Sequence, residues 1–246
     1  MYELINKDDM EIYHDIGQNK KYVFNNTYVP RTTEILNSML HDDYLMGWSN
    51  AMGLYRRKKY EDIIIQSSNI GTYTHNLIEN FIKNHSIIDK NIIPMGIYDE
   101  VNNAFSSFLS WWEYINKYHK VEVVYSEEEL VCEYFGGTLD LLIKIDGIPY
   151  LVDFKTSNHL SYKYFLQLSS YRYILREKRN IDVKGCIVLM LNKKSVSYNE
   201  YILRFDNLVD KDYMDRCEQC FLSLVQAYIQ RLYIENYFNN HFISNK

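Results

Sequence analysis

The sequence predicts an α/β fold in which helices flank a mixed central sheet, with a mainly helical N-terminal part. Before residue 118 apolar residues recur at helical spacing, whereas from Val121 short β-branched and aromatic runs alternate with helical segments. The 246 residues contain no Gly/Ser/Pro-rich linker and no internal repeat. We therefore predict one domain over 1–246, comprising a mainly helical part at 1–118 and an α/β core with a closing helix at 119–246.

The N-terminal part is predicted to open with a short β lead-in. Asn25-Asn26 is a turn candidate between two apolar runs, and Pro30 closes this segment. Helical spacing then predicts three helices, at 33 to about 65, 71–83 and 98–118.

The second part is predicted to alternate strands and helices. Strands are expected at 121–125, 130–134, 139–145, 148–154, 186–191 and 198–205, and helices at 162–176 and 213 to about 237. This order is typical of a sheet with helices on both faces.

A two-residue turn sets the register of one strand pair. Asp146-Gly147 lies between two apolar strands and is a strong signal for a hairpin. If residue 145 faces 148, Asp140 lies opposite Asp153, and Thr138 lies opposite Lys155.

Two opposed aspartates repel each other unless a cation lies between them. Oxygen ligands of this kind suit Mg²⁺. Lys155 is two residues after Asp153 and therefore projects from the same strand face. An ammonium group beside a metal fits metal-assisted hydrolysis of a phosphodiester bond.

An ordered set of motifs resembles a known family. The set comprises Gly136-Gly137-Thr138-Leu139-Asp140, Asp153-Phe154-Lys155-Thr156, Gln167-Leu168-Ser169-Ser170-Tyr171, the upstream Gly71-x-x-x-His75 and the segment Pro30 to Leu36. Over about residues 28 to 172 the chain resembles the RecB-like branch of the PD-(D/E)xK nucleases, including phage exonucleases and the mitochondrial genome maintenance exonuclease. This resemblance implies a restriction-endonuclease-like core.

The resemblance also implies roles for individual residues. A site with one or two ions of Mg²⁺ or Mn²⁺ is expected to have His75, Asp140, Asp153 and the Phe154 main-chain carbonyl as ligands, with Lys155 as the catalytic lysine. Gln167 and Tyr171 would orient the lysine or the DNA. Family members tend to place a glutamate on the preceding strand; among Glu127, Glu128 and Glu129 we slightly prefer Glu127.

The function expected from this resemblance is exonuclease action on DNA ends, with single-stranded DNA preferred, in replication, recombination or repair, as in a phage system. A structure-specific or nicking endonuclease is the first alternative, and a catalytically idle DNA-binding module is the second. A recombinase or a single-strand-binding protein is a possible partner by analogy. No Gly-rich nucleotide loop, H-E-x-x-H or G-x-S-x-G motif supports another hydrolase.

The charge distribution leaves room for a local DNA-binding groove. A net charge of −5 does not itself indicate a nucleic-acid binder. The candidate DNA contacts are Arg56, Arg57, Lys58, Thr156 and Arg172, and the segment Leu45 to Lys59 is a candidate arch over the site.

The compartment is predicted from cysteines and hydropathy. Four cysteines are too few for a disulfide framework, and nothing upstream of Cys132 is a cysteine, so we expect reduced thiols and no iron-sulfur cluster. No run approaches the roughly 20 apolar residues of a membrane span. We expect a cytoplasmic protein without a membrane partner, in the host cytoplasm if phage-encoded.

Overall fold

The computed structural model describes residues 21–40, 60–84 and 93–243. Within these ranges the helices are α1 (Thr32–Met39), α2 (Tyr60–Asn84), α3 (Tyr98–Tyr118), α4 (Tyr162–Arg179) and α5 (Leu208–Phe238). The strands are β1 (Tyr22–Phe24), β2 (Thr27–Val29), β3 (Val121–Val131), β4 (Gly136–Ile145), β5 (Ile148–Lys155), β6 (Gly185–Leu191) and β7 (Tyr198–Arg204).

A five-stranded mixed sheet forms the centre of the molecule. Its order is β3-β4-β5-β6-β7, and every neighbouring pair is antiparallel except β5 and β6. α4 makes the crossover that a parallel pair requires. One apolar core lies between the sheet and α1, α4 and α5, and the other lies between the sheet and α2 and α3. The predicted α/β fold with a mixed sheet flanked by helices is therefore confirmed.

Both predicted two-residue turns are present. Asn25 and Asn26 have φ of 47° and 65°, while Asp146 and Gly147 have φ of 52° and 84°. Successive left-handed residues are typical of the turn whose twist matches antiparallel strands.

The predicted register of β4 and β5 holds only in part. The two strands pair from Ile145↔Ile148 to Leu141↔Val152, as expected, and the pairing stops there. Neither Asp140 with Asp153 nor Thr138 with Lys155 forms a ladder pair, so that part of the prediction is wrong. The turn fixes the register near itself, but tertiary packing decides how far the ladder extends.

Other elements differ from the predictions in their extent. The two strands expected at 121–125 and 130–134 are one strand, β3, with a register shift between Val123 and Tyr125. The helix expected from residue 33 to about 65 ends at Met39, where Leu40 is extended, and α2 begins at Tyr60. The proposed arch at 45–59 lies outside the described residues. Among the described helices, none is long and apolar enough to cross a membrane.

Candidate metal centre

The candidate site lies where β4 and β5 part. Beyond Leu141↔Val152, β4 pairs only with β3, and β5 pairs only with β6. The backbone groups of β5 that would face β4 therefore need other partners. The Phe154 N–H donates to Oδ2 of Asp140 at 2.7 Å, and the Phe154 carbonyl lies 3.1 Å from Nε2 of His75. Asp140 and His75, both predicted site residues, thus supply the partners that the Phe154 backbone lacks on the β4 side.

His75 is one member of a cluster of three potential metal ligands. Its Nδ1 lies 3.4 Å from Oε1 of Glu127 and 3.5 Å from Oδ1 of Asp140. Each of the three residues offers one ligand atom, and these atoms lie within 4.8 Å of one another. Ligands on opposite sides of a Mg²⁺ ion are about 4.2 Å apart, so the cluster is close to the size of one coordination sphere.

Glu127 is directed into this cluster by a local distortion of β3. Its neighbours Ser126 and Glu128 pair with Leu141 and Leu139, which places Glu127 opposite Asp140. Glu127 has φ of 49°, a left-handed conformation that costs a non-glycine residue about 1–3 kcal/mol.

The other two glutamates of the run are engaged elsewhere. Glu128 lies 3.3 Å from Arg179, and Glu129 lies 3.1 Å from Lys21. Of the three candidates, Glu127 is therefore the one that the fold brings to His75.

Lys155 belongs to a second cluster, which reaches the site from the opposite face of the sheet. Its Nζ donates to Oδ1 of Asp153 at 2.8 Å and to Oε1 of Gln167 at 3.2 Å. Nε2 of Gln167 in turn donates to the Tyr171 hydroxyl at 3.1 Å. Gln167 and Tyr171 share one face of α4, as their spacing predicts.

Gly137 allows α4 to approach the sheet at this point. A Cβ atom on Gly137 would lie 2.5 Å from Cε1 of Tyr171. The Tyr171 ring therefore packs directly on the strand backbone, which places Gln167 within reach of Lys155.

The electrostatics of the site indicate a place for a cation. Oδ2 of Asp153 is buried and has no hydrogen-bond partner among the described residues. Burial and the nearby Asp140 carboxylate outweigh Lys155 and raise the pKa of Asp153 to about 6. A buried carboxylate oxygen without a donor is costly, and a hard divalent ion would compensate for it. The carboxylate and imidazole donors present are a set that Mg²⁺ or Mn²⁺ accepts.

The pKa of His75 is also raised, but for this residue the shift favours the charged form. Burial disfavours its charged form, but the carboxylates of Asp140 and Glu127 outweigh burial and raise the pKa of His75 to about 10. In turn, His75 overcomes the effect of burial on Asp140 and lowers the pKa of that carboxyl. The imidazolium ring therefore occupies the position of a cation between the two carboxylates.

The predicted DNA contacts have different positions. Thr156 is half-buried beside α2, where its Oγ1 would lie 3.6 Å from a Cβ on Gly71. Arg172 is buried between α4 and α5, donates to Asp215 at 2.8 Å and stacks on Phe205, so the expectation that it contacts DNA is corrected. Its charge is used to join two helices. Arg56, Arg57 and Lys58 lie outside the described residues.

Two tyrosines beside the site are not among the residues predicted from the sequence. The Tyr164 ring lies over Lys155, and the Tyr22 hydroxyl is 2.8 Å from Oγ1 of Thr138. Tyr164 precedes Gln167 by three residues, so helical spacing could have identified it. Tyr22 comes from a distant hairpin, and only the tertiary structure brings it here.

Comparisons with known proteins do not identify a family for this chain. No protein-family profile matches the chain, and no curated protein matches it. Among solved structures, the crystal structure of SSO0001 aligns with 61% of this chain and 74% of that chain, at 11% identity and a TM-score of 0.29. This similarity is too low to assign a family or a function.

Proposed function

We propose that the protein is a metal-dependent DNA nuclease with a PD-(D/E)xK active site, acting as an exonuclease on DNA ends and preferring single-stranded DNA. The main support is the parting of β4 and β5 at the two aspartates, where His75, Glu127 and Asp140 form a ligand cluster. Lys155 is fixed beside Asp153, which is the arrangement needed to act on a phosphate next to a cation.

Each side chain has a distinct role in this proposal. His75, Glu127, Asp140 and Asp153 would hold Mg²⁺ or Mn²⁺, which supplies Lewis acidity and a more acidic bound water. The Phe154 carbonyl lies against Nε2 of His75 and keeps a second lone pair that could reach the ion.

Lys155 would offset the charge that develops on the scissile phosphate. The carboxylates of Asp153 and Asp140 overcome burial and raise the pKa of Lys155, so its ammonium is charged near neutral pH in the absence of metal. Gln167 holds this ammonium in place, and Tyr171 holds Gln167.

Action at DNA ends follows from the resemblance in sequence, since the geometry of the metal ligands is the same for cleavage at ends and within strands. A role in replication, recombination or repair, a recombinase or single-strand-binding partner and a cytoplasmic location are part of the same proposal. The endonuclease alternative differs in one observable, the cleavage of DNA that has no ends.

The test compares labelled DNA with and without ends. Linear DNA labelled at the 5′ or 3′ end and closed circular single-stranded DNA are incubated with Mg²⁺, with Mn²⁺ or with chelator. Lys155→Ala should lower the cleavage rate by at least about 100-fold, because a charge-stabilising group is lost. Lys144→Ala is the matched control, since Lys144 is an exposed lysine at the far end of β4.

Each outcome decides between the candidate functions. Metal-dependent loss of linear DNA alone supports the exonuclease, and the label lost first gives its polarity. Cleavage of the circular substrate supports the endonuclease. If the wild-type protein cleaves neither substrate with either metal, the enzyme proposal is refuted and the idle DNA-binding module is favoured.

A further inference from the structure

The ammonium group of Lys155 has an aromatic neighbour to which the proposed function gives no role. The centroid of the Tyr164 ring lies 5.0 Å from Nζ of Lys155, and Tyr164 is in the first turn of α4. An ammonium over an aromatic ring is attracted by the electrons of the ring face, more strongly where water is excluded. The Lys155 side chain is only 19% exposed, so its ammonium group is largely shielded from water.

The Tyr164 ring is itself held in a fixed position. Oγ of Ser157 donates to the His159 carbonyl at 3.1 Å. A hydroxyl group has one proton to donate, so the Tyr164 hydroxyl must be the donor in its 2.8 Å hydrogen bond to Oγ of Ser157. The ring is thus anchored at one end by α4 and at the other by the loop that joins β5 to α4.

We propose that Tyr164 is a positioning residue that holds the Lys155 ammonium group in its working orientation. A lysine side chain has several rotatable bonds, and its ammonium has three N–H donors. Asp153 and Gln167 accept two of them, and the Tyr164 ring limits where the ammonium can turn. The consequence for catalysis rests on the proposed nuclease function, whereas the contact itself does not.

The first test separates the ring from its hydroxyl. In the nuclease assay, Tyr164→Leu should lower kcat about tenfold and change KM less than about twofold, because the ammonium loses its orientation while substrate binding is kept. Tyr164→Phe keeps the ring and should stay within about threefold of the wild-type kcat. Tyr162→Leu is the matched control, since Tyr162 lies two residues away and is 54% exposed. A wild-type kcat in Tyr164→Leu would overturn the proposal.

The second test does not require nuclease activity. The unfolding equilibrium is measured with chelator for Tyr164→Leu, Lys155→Met and the double variant. If the ring acts on the ammonium, Tyr164→Leu should change the unfolding constant about two- to fivefold less in the Lys155→Met background than in the wild type. Equal changes in both backgrounds would make Tyr164 a merely structural residue.

The nuclease proposal and the positioning role of Tyr164 can fail independently of each other. If the wild-type protein cleaves no DNA but the cycle shows coupling, the nuclease proposal fails and Tyr164 still positions Lys155. If the wild type cleaves DNA and the cycle shows no coupling, the positioning role fails alone.

Discussion

His75 has a raised pKa and is also a proposed metal ligand. The carboxylates of Asp140 and Glu127 raise its pKa to about 10, so at pH 7 to 8 the ring is protonated without metal. A metal ion can bind only the neutral ring, and binding must then release this proton. We predict that metal affinity rises about tenfold per pH unit above pH 7. Calorimetry in buffers of different ionisation enthalpy should count about one proton released, and none in His75→Gln.

The same pKa predicts how His75 affects stability. The folded-state pKa is above the unfolded value near 6.5, so protonated His75 stabilises the metal-free fold fully below pH 6.5. This stabilisation is lost as the pH rises towards 10. Chemical unfolding with chelator should show the wild type losing stability relative to His75→Gln between these pH values. A difference that does not change with pH would contradict this prediction.

Gly137 is a residue where one added methyl group should disturb the site. The Cβ of Gly137→Ala would lie 2.5 Å from the Tyr171 ring, so the ring must move away from β4. Moving Tyr171 also displaces Gln167, which holds Lys155. We expect a loss of about 1–3 kcal/mol of stability from the overpacked contact, together with reduced nuclease activity. Gly96→Ala is the control, because its Cβ would meet no atom within 4 Å.

At the scale of elements, α4 and α5 are joined by buried charge. Nη1 of Arg172 lies 2.8 Å from Asp215 and 3.7 Å from Glu218, and Arg176 also pairs with Glu218. Arg172→Met should destabilise the protein by about 1–3 kcal/mol, because a charged hydrogen bond is lost while Asp215 keeps Lys211 and Glu218 keeps Arg176. DNA affinity of the folded variant should not change.

An exposed ion pair within α5 provides the control for Arg172. Arg216 pairs with Asp212 on α5, and its side chain is 75% exposed. Arg216→Met should therefore change stability by less than about 1 kcal/mol, as measured by denaturant unfolding. A weaker DNA affinity in Arg172→Met, with the fold intact, would restore Arg172 as a DNA contact.

At the scale of the whole molecule, the site links the two cores. His75 reaches it from α2 on one face of the sheet, and Gln167 reaches it from α4 on the other. An ion bound between these layers should therefore stabilise the complete fold. We predict that Mg²⁺ or Mn²⁺ at 100 times its dissociation constant raises the free energy of unfolding by about 2.7 kcal/mol. Asp140→Asn should abolish this increase in a thermal-unfolding titration.

The sequence by itself determined the parts of the fold that depend on neighbouring residues. Asn25-Asn26 and Asp146-Gly147 tolerate left-handed backbone, so they fix the turns and the register next to them. Hydrophobic periodicity and runs of β-branched and aromatic residues located α3, α4 and the strands β4 to β7. The turn at Asp146-Gly147 led to Asp140, Asp153 and Lys155, whereas His75, Glu127, Gln167 and Tyr171 were proposed by resemblance alone.

Tertiary structure decided which of those residues meet, because each contact depends on elements far apart in the chain. β3 was predicted as two strands because its central glutamates have low strand propensity, yet pairing with β4 makes it continuous. Long-range packing accounts for three features: the distortion at Glu127, the early end of the β4–β5 ladder and the burial of Arg172. Sequence patterns report local periodicity and cannot report these contacts.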